Sequence, residues 1–369
     1  MPTLFDPIAL GDITLPNRII LAPLTRCRAS EGRIPNELMR EYYTQRASAG
    51  LIFTEATAVT PQGVGYPATP GLWTEEQTEG WKRIVDSVHA AGGRIVAQLW
   101  HVGRISHPYY LNGELPVSAS AIAPLGQVRV QNYEQTPYVT PRALETDEIP
   151  GVIAMYRHGA ENAKRAGFDG VEIHGANGYL PDQFLRDGTN HRTDAYGGPI
   201  ENRARFLLEA TDAAISVWGA GRVGVHLSPR NMEGYGAIDS DPGATYGYVA
   251  EELGKRGIAF LFTRESVGDG ERFTPEMKRR FGGPVIVNES FTPELAQQVL
   301  DASEGDAVSW GKLFLANPDL PQRIQQGGPY NEPNPATFYA PGAEGYTDYP
   351  ACTKVNSLQK VTKETHLSV

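Results

Sequence analysis

The sequence predicts an α/β protein folded as a single (β/α)8 TIM barrel with long cover loops at the C-terminal mouth of its strands. Three observations predict it. Short apolar, β-branched runs recur along the chain, longer segments with helical spacing separate them, and two stretches rich in Pro, Gly and Tyr break the rhythm. Continuous apolar runs suit strands buried on both faces, as parallel strands are. Eight alternations of strand and helix fit a closed barrel or a doubly wound open sheet, and the count favours the barrel. The chain has 369 residues, within the range of about 200 to over 400 that single barrels span.

The eight runs are Ile19–Leu24, Leu51–Thr54, Ile95–Leu99, Gly170–Ile173, Val223–Leu227, Ala259–Phe262, Pro284–Val287 and Ala307–Ser309. Helix punctuation lies between them. Thr146 before Asp147-Glu148-Ile149-Pro150 reads as a cap with an acidic first turn. Apolar Val152, Tyr156 and Ala163 follow at helical spacing, and Gly167 stops the helix ahead of the fourth strand. Asn317-Pro318 reads as an N-cap with proline at the first helical position. Residues 101–149 and 329–350 are too long for plain connections and read as covers over one barrel mouth. One domain is therefore expected over 1–350, with a polar tail at 351–369 whose residues Thr353–Val369 should fray.

Composition excludes several classes. A net charge of −10 opposes binding to nucleic acid or an anionic membrane. Met1-Pro2-Thr3-Leu4-Phe5-Asp6 lacks a basic segment followed by an apolar one, so no signal peptide is expected. No apolar run approaches the ~18 residues of a membrane span. Two cysteines, Cys27 and Cys352, lie far apart and fit a reducing cytoplasm better than a disulfide framework. The expected partner is a small molecule, and the chain a monomer or small homo-oligomer.

Barrel chemistry sits at the C-terminal ends of the strands. The polar groups there are Thr25, Glu55, Gln98, Trp100, His174 and His226. Val171-Glu172-Ile173-His174-Gly175-Ala176-Asn177-Gly178-Tyr179 is the most informative run. His174 closes a strand, the glycine-rich turn folds tightly, and Asn177 and Tyr179 emerge beside it. His174 and Asn177 offer N–H donors to one substrate oxygen, while Tyr179 stays protonated at neutral pH and can give up a proton. Such a donor is typically worth about 3–4 kcal/mol of transition-state stabilisation. On spacing alone, a satisfied core histidine and a turn asparagine read equally well. No lysine falls within the eight runs, which disfavours a Schiff-base aldolase. No Gly-x-Gly-x-x-Gly follows a strand, so a nicotinamide cofactor would not be held in Rossmann fashion.

The chain resembles the old yellow enzyme family of FMN-dependent ene-reductases. The motifs run nearly end to end. They include Asn17-Arg18-Ile19, Ala22-Pro23-Leu24-Thr25-Arg26, Gln98-Leu99-Trp100-His101-Val102-Gly103-Arg104, and Val171-Glu172-Ile173-His174 with Ala176-Asn177-Gly178-Tyr179. Arg192-Thr193-Asp194, Glu201-Asn202-Arg203, Ala316-Asn317-Pro318-Asp319-Leu320 and Gly345-Tyr346-Thr347-Asp348-Tyr349-Pro350 continue the match. Val225-His226-Leu227-x-Pro229-Arg230 and Asn288-Glu289 make it most similar to the bacterial xenobiotic reductases and N-ethylmaleimide reductase-like members.

The resemblance implies non-covalent FMN, reduced by NADPH or NADH and reoxidised at the same site by an electron-poor alkene or nitro compound. It implies that Pro23, Leu24, Thr25, Ala56, Gln98, His174 and His226 meet the flavin ring, and that Asn288, Gly311 and Lys312 meet its phosphate. His174 and Asn177 would hold the substrate oxygen, Tyr179 would protonate the α-carbon, and Tyr66, Trp100 and Tyr346 would wall the pocket. No metal is implied.

Two departures stand out. Many family members carry arginine on the fifth strand where this chain has His226, so His226 is expected to be protonated or Arg230 to assist. Cys27 lies two residues beyond Thr25, where another branch places a flavin-tuning cysteine, and no flavin contact is expected of it. Two rival functions remain at this stage. One is a metal-assisted TIM-barrel hydrolase using Glu172, His174 and His226. The other is a ligand-binding barrel without turnover.

Overall fold

In the computed structural model, which describes residues 1–130, 134–230, 233–268, 270 and 272–352, the eight runs become strands of one closed barrel. They are β1 Ile19–Leu21, β2 Leu51–Phe53, β3 Ile95–Trp100, β4 Gly170–His174, β5 Val223–Leu227, β6 Phe260–Arg264, β7 Val285–Asn288 and β8 Ala307–Trp310. Each pairs in parallel with the next, and β8 pairs with β1 through Val308↔Ile19, which closes the ring. Closure rules out the open sheet. A two-residue strand, Thr57–Ala58, flanks the end of β3.

The first strand is shorter than the run that announced it. Pro23 has no N–H for the ladder, and residues 22–25 turn out to line the mouth instead. The sixth strand extends further than its apolar run, ending at Arg264.

Alternation inside the barrel sets two zones. Ile20, Leu51, Phe53, Val96, Phe260, Phe262, Ile286 and Ala307 fill the lower interior and are buried. Phe53 meets Phe260 and Phe262 edge-on, at 5.6 and 5.4 Å. The bottom is plugged by an antiparallel hairpin, Ile8–Leu10 with Ile13–Leu15, whose Leu10, Ile13 and Leu15 join that cluster. Above it, Gln98, Glu172, His174 and His226 occupy the same interior as buried polar groups.

Eight helices ring the strands: α1 Glu37–Thr44, α2 Glu75–Ala90, α3 Ile149–Arg165, α4 Ile200–Trp218, α5 Pro242–Arg256, α6 Thr274–Phe281, α7 Pro293–Asp301 and α8 Leu320–Gln326. Their apolar stripes and the outward faces of the strands form the larger core. Gly167 does end α3, at φ 86° just past the cap residue Ala166.

Two expected caps are corrected. Thr146 does not cap α3; its hydroxyl donates to Asp194, and the helix starts two residues after Asp147. Asn317 caps no N-terminus. It ends the short helix Lys312–Ala316 and donates to the carbonyls of Leu313 and Asn331, while α8 begins at Leu320.

Within 101–149 the chain forms a small hairpin, Gln127–Arg129 with Gln135–Pro137, and pairs Val117–Ser118 with Arg142–Ala143. The segment 329–350 contains one turn of 3-10 helix at Pro335–Thr337. Thr353–Val369, read as a frayed tail, lies outside the described residues.

Candidate active site

The C-terminal mouth holds a cleft of about 530 Å³. Pro23, Leu24, Thr25, Asn177, His226, Asn288, Gly311 and Lys312 all line it, so the barrel brings together most residues singled out in the sequence. Gln98 lies directly beneath, bonded to His226, and Ala56 is buried beside Trp100.

Register places the two histidines. His174 ends β4 opposite His226 on β5, and their rings stack 5.2 Å apart with planes 7° from parallel. Both are neutral. Burial, with Arg264 adding to it, lowers His174 to about 3. Burial, then the neighbouring His174 and Arg264, holds His226 well below its usual range. The expected imidazolium at His226 is thus corrected. Arg230, expected to assist, is not among the residues that line the cleft, and its Nε lies 3.5 Å from Glu265.

Beneath the histidines lies a buried polar relay. The Gln98 amide nitrogen donates to Glu172 Oε2 at 2.7 Å and sits 3.1 Å from His226 Nδ1. With Gln98 as donor, Nδ1 of His226 accepts, and its proton resides on Nε2. That Nε2 is buried and meets no protein acceptor, as is Nδ1 of His174. Burial raises the Glu172 carboxyl to about 8, against the lowering effect of Gln98, so it is uncharged at neutral pH. His226 Nδ1 and Glu172 Oε2 are 3.9 Å apart, with the Gln98 nitrogen within reach of both. Among the described residues no group of three His, Cys, Asp or Glu side chains is arranged to hold a metal ion.

The turn after β4 builds the other wall. Asn177 and Gly178 both take left-handed backbone, at φ 61° and 78°, which glycine adopts freely and asparagine tolerates. The Asn177 N–H is held by Ser228 Oγ at 2.8 Å, and its Oδ1 accepts from Arg264 at 2.9 Å. The carboxamide NH2 is left as the free edge on a residue that lines the cleft. Tyr179 lies edge-on to His174 at 4.9 Å and to Trp100 at 5.1 Å. Its hydroxyl is 3.0 Å from that of Tyr66, and burial raises its pKa, keeping the phenol protonated. Trp100, Ala56, Val102 and Ile105 form a buried cluster, with Tyr66, Tyr138, Tyr179 and Tyr235 packed on it.

Several residues fall elsewhere or were missed. Tyr346 is no pocket wall. It is fully buried outside the cleft, stacked on Tyr42 of α1 at 4.1 Å, under the guanidinium groups of Arg26 and Arg28. Tyr339, seven residues earlier in the same segment, lines the cleft with Phe338. Arg264 and Glu289 also line it and pair at 3.0 Å. The sequence signal for Arg264 was a charged residue two places past the apolar run that ends at Phe262. Cys27 does not line the cleft; burial raises its thiol to about 12.

The site suits a planar anionic group. Pro23, Leu24 and Thr25 give one wall, orphaned imidazole nitrogens lie at the floor, and Lys312 supplies a cation beside Asn288. A Cβ on Gly311 would sit 3.0 Å from Leu24 Cδ2, narrowing that end. A parallel barrel with such a cleft over its mouth defines a TIM-barrel protein with room for a flat, anionic cofactor at the C-terminal ends of its strands.

The chain belongs to the NADH:flavin oxidoreductase / NADH oxidase family, that of the old yellow enzymes, whose family model matches residues 3–331. It is 46% identical over 354 residues to a putative 12-oxophytodienoate reductase 5 of Oryza sativa subsp. japonica, covering 92% of each chain. Its structure is similar to that of morphinone reductase in complex with tetrahydroNAD, with TM-score 0.92, 49% identity, and 96% of this chain and 99% of that one covered. The old yellow enzyme homologue of Zymomonas mobilis gives TM-score 0.92 and 44% identity over 95% and 99%. The likeness to bacterial xenobiotic reductases is compatible with these. The chain is therefore a flavin oxidoreductase, with FMN as its flavin and a nicotinamide nucleotide as its reductant. No helix among the described residues is long and apolar enough to cross a membrane.

Proposed function

We propose that this protein reduces activated C=C bonds of α,β-unsaturated carbonyl compounds, maleimides included, and accepts nitrate esters and nitroaromatics at the same site. The observation that carries this is the juxtaposition of neutral His174 and protonated Tyr179, their rings 4.9 Å apart, with the free amide edge of Asn177, which lies in the turn between them and lines the cleft. FMN, once bound and reduced by NAD(P)H, supplies the hydride. Pro23, Leu24, Thr25, Ala56, Gln98 and His226 would hold its ring, and Asn288, Gly311 and Lys312 its phosphate.

The side chains do the rest. His174 and Asn177 bind the carbonyl oxygen and draw electron density from the β-carbon; as neutral donors they gain strength when that oxygen becomes an anion. Tyr179 holds its proton at Oη for the α-carbon, with Tyr66 3.0 Å behind it. Trp100 and Tyr66 keep the site dry, so those hydrogen bonds act at low dielectric. One site serves nucleotide and substrate in turn, which agrees with the missing Rossmann fingerprint. We place the protein in the cytoplasm, whose reducing conditions suit the free Cys27 and Cys352, as a monomer or small homo-oligomer.

The test is anaerobic. NADPH, or NADH, should bleach the flavin bands of the purified protein, and 2-cyclohexenone, N-ethylmaleimide or a nitrate ester should restore them. Flavin that bleaches but is restored only by oxygen would end the ene-reductase reading.

A further inference from the structure

The geometry points to Arg264 as a positioning residue that orients the Asn177 amide for an oxyanion and brings a positive charge to its side of the cleft. This rests on the proposed role of His174 and Asn177.

Arg264 is the last residue of β6 and lines the cleft. One guanidinium nitrogen donates to Asn177 Oδ1 at 2.9 Å, and the other pairs with Glu289 at 3.0 Å. A carboxamide has one oxygen and one NH2 group. Committing the oxygen to a cation fixes which edge is left over, and that edge is a pure donor. The backbone adds a second restraint, since the Asn177 N–H is tied to Ser228 Oγ at 2.8 Å. A charged donor on the amide oxygen also polarises the group and strengthens its N–H donors.

Charge matters as well as orientation. Floor groups Glu172, His174 and His226 are uncharged at neutral pH, and Arg230 faces Glu265. Arg264 is then the cation held against the residues that receive the substrate oxygen, and its field reaches both imidazoles. Lys312 lies at the phosphate end of the same cleft. Glu289 aims the guanidinium and offsets part of its charge. It follows β7 with φ 97°, a strained conformation for a side-chain-bearing residue.

The test uses the holoenzyme and a phenol such as 4-chlorophenol, whose phenolate oxygen mimics the developing enolate. Its dissociation constant is read from the flavin spectrum across pH. Arg264→Gln should weaken phenolate binding about tenfold and raise the apparent pKa of the bound phenol by about one pH unit. Arg264→Lys, which keeps charge without the fork, should fall between. Asn177→Ala is the comparator. If it weakens phenolate binding and Arg264→Gln does not, the inference is overturned and the proposed site stands. If neither change matters, the oxyanion site itself is wrong.

Should Arg264→Gln lose flavin or fold, Glu289→Gln replaces it. Glutamine keeps an oxygen acceptor that aims the Arg264 guanidinium and removes the opposing charge, so phenolate binding should tighten several-fold. Unchanged binding there also overturns the inference.

Discussion

Glu172 is a carboxyl whose environment forbids its charge. It is fully buried on β4, accepts one hydrogen bond from Gln98 at 2.7 Å, and its Oε1 has no protein partner. Burial lifts its pKa from the ordinary 4.5 to about 8. The sign follows from proton counting. Between those two values the unfolded chain has released the proton and the folded chain has kept it, so stability falls as pH rises.

Each pH unit in that window is worth about 1.4 kcal/mol, giving about 5 kcal/mol between pH 4.5 and 8. Glu172→Gln keeps the shape and the acceptor for Gln98 but cannot ionise. Variant and wild type should unfold at similar urea concentrations at pH 5. By pH 8 the variant should be more stable by several kcal/mol. Infrared difference spectra between the two proteins would show the protonated carboxyl stretch persisting to about pH 8. Parallel stability profiles, or a carboxyl that titrates near 4.5, would refute the argument and put a negative charge under the cleft floor.

Three further outcomes follow from the geometry. Tyr179→Phe should leave flavin reduction by NAD(P)H intact and slow enone-driven reoxidation by about 10²–10⁴, measured by stopped-flow absorbance of the two half-reactions. Tyr66→Phe removes the hydroxyl 3.0 Å from Tyr179 and should slow reoxidation only about fivefold, the worth of one net hydrogen bond. Arg28→Ala deletes donors to the carbonyls of Gly342, Thr337 and Arg26 and the stack on Tyr346. It should cost about 3 kcal/mol or more of stability, seen as a lower melting temperature with new protease cuts between residues 337 and 345.

Much of this protein is written locally. Strands buried on both faces need unbroken apolar runs, so Ile95–Leu99 or Val223–Leu227 could be read directly, and their number favoured the barrel over the open sheet that closure of β8 on β1 then ruled out. The His174, Asn177 and Tyr179 set was legible because one tight turn joins all three. The Gly11-Asp12 turn between Ile8-x-Leu10 and Ile13-x-Leu15 carries a hairpin signal as well, outside the eight barrel runs.

Other features exist only once the barrel closes. That His174 stacks on His226, and that Gln98 bridges Glu172 and His226, depends on the register between β3, β4 and β5. A one-residue slip would send those side chains to the opposite face. Arg264 meets Asn177 87 residues away in sequence. Tyr339 and Tyr346 share one tyrosine-rich segment, and only the carbonyls that Arg26 and Arg28 grip decide which reaches the cleft. The charge states came last. An isolated Glu172 would be ionised at neutral pH and His226 was expected as an imidazolium, and it is desolvation in the assembled barrel that leaves the one protonated and the other neutral.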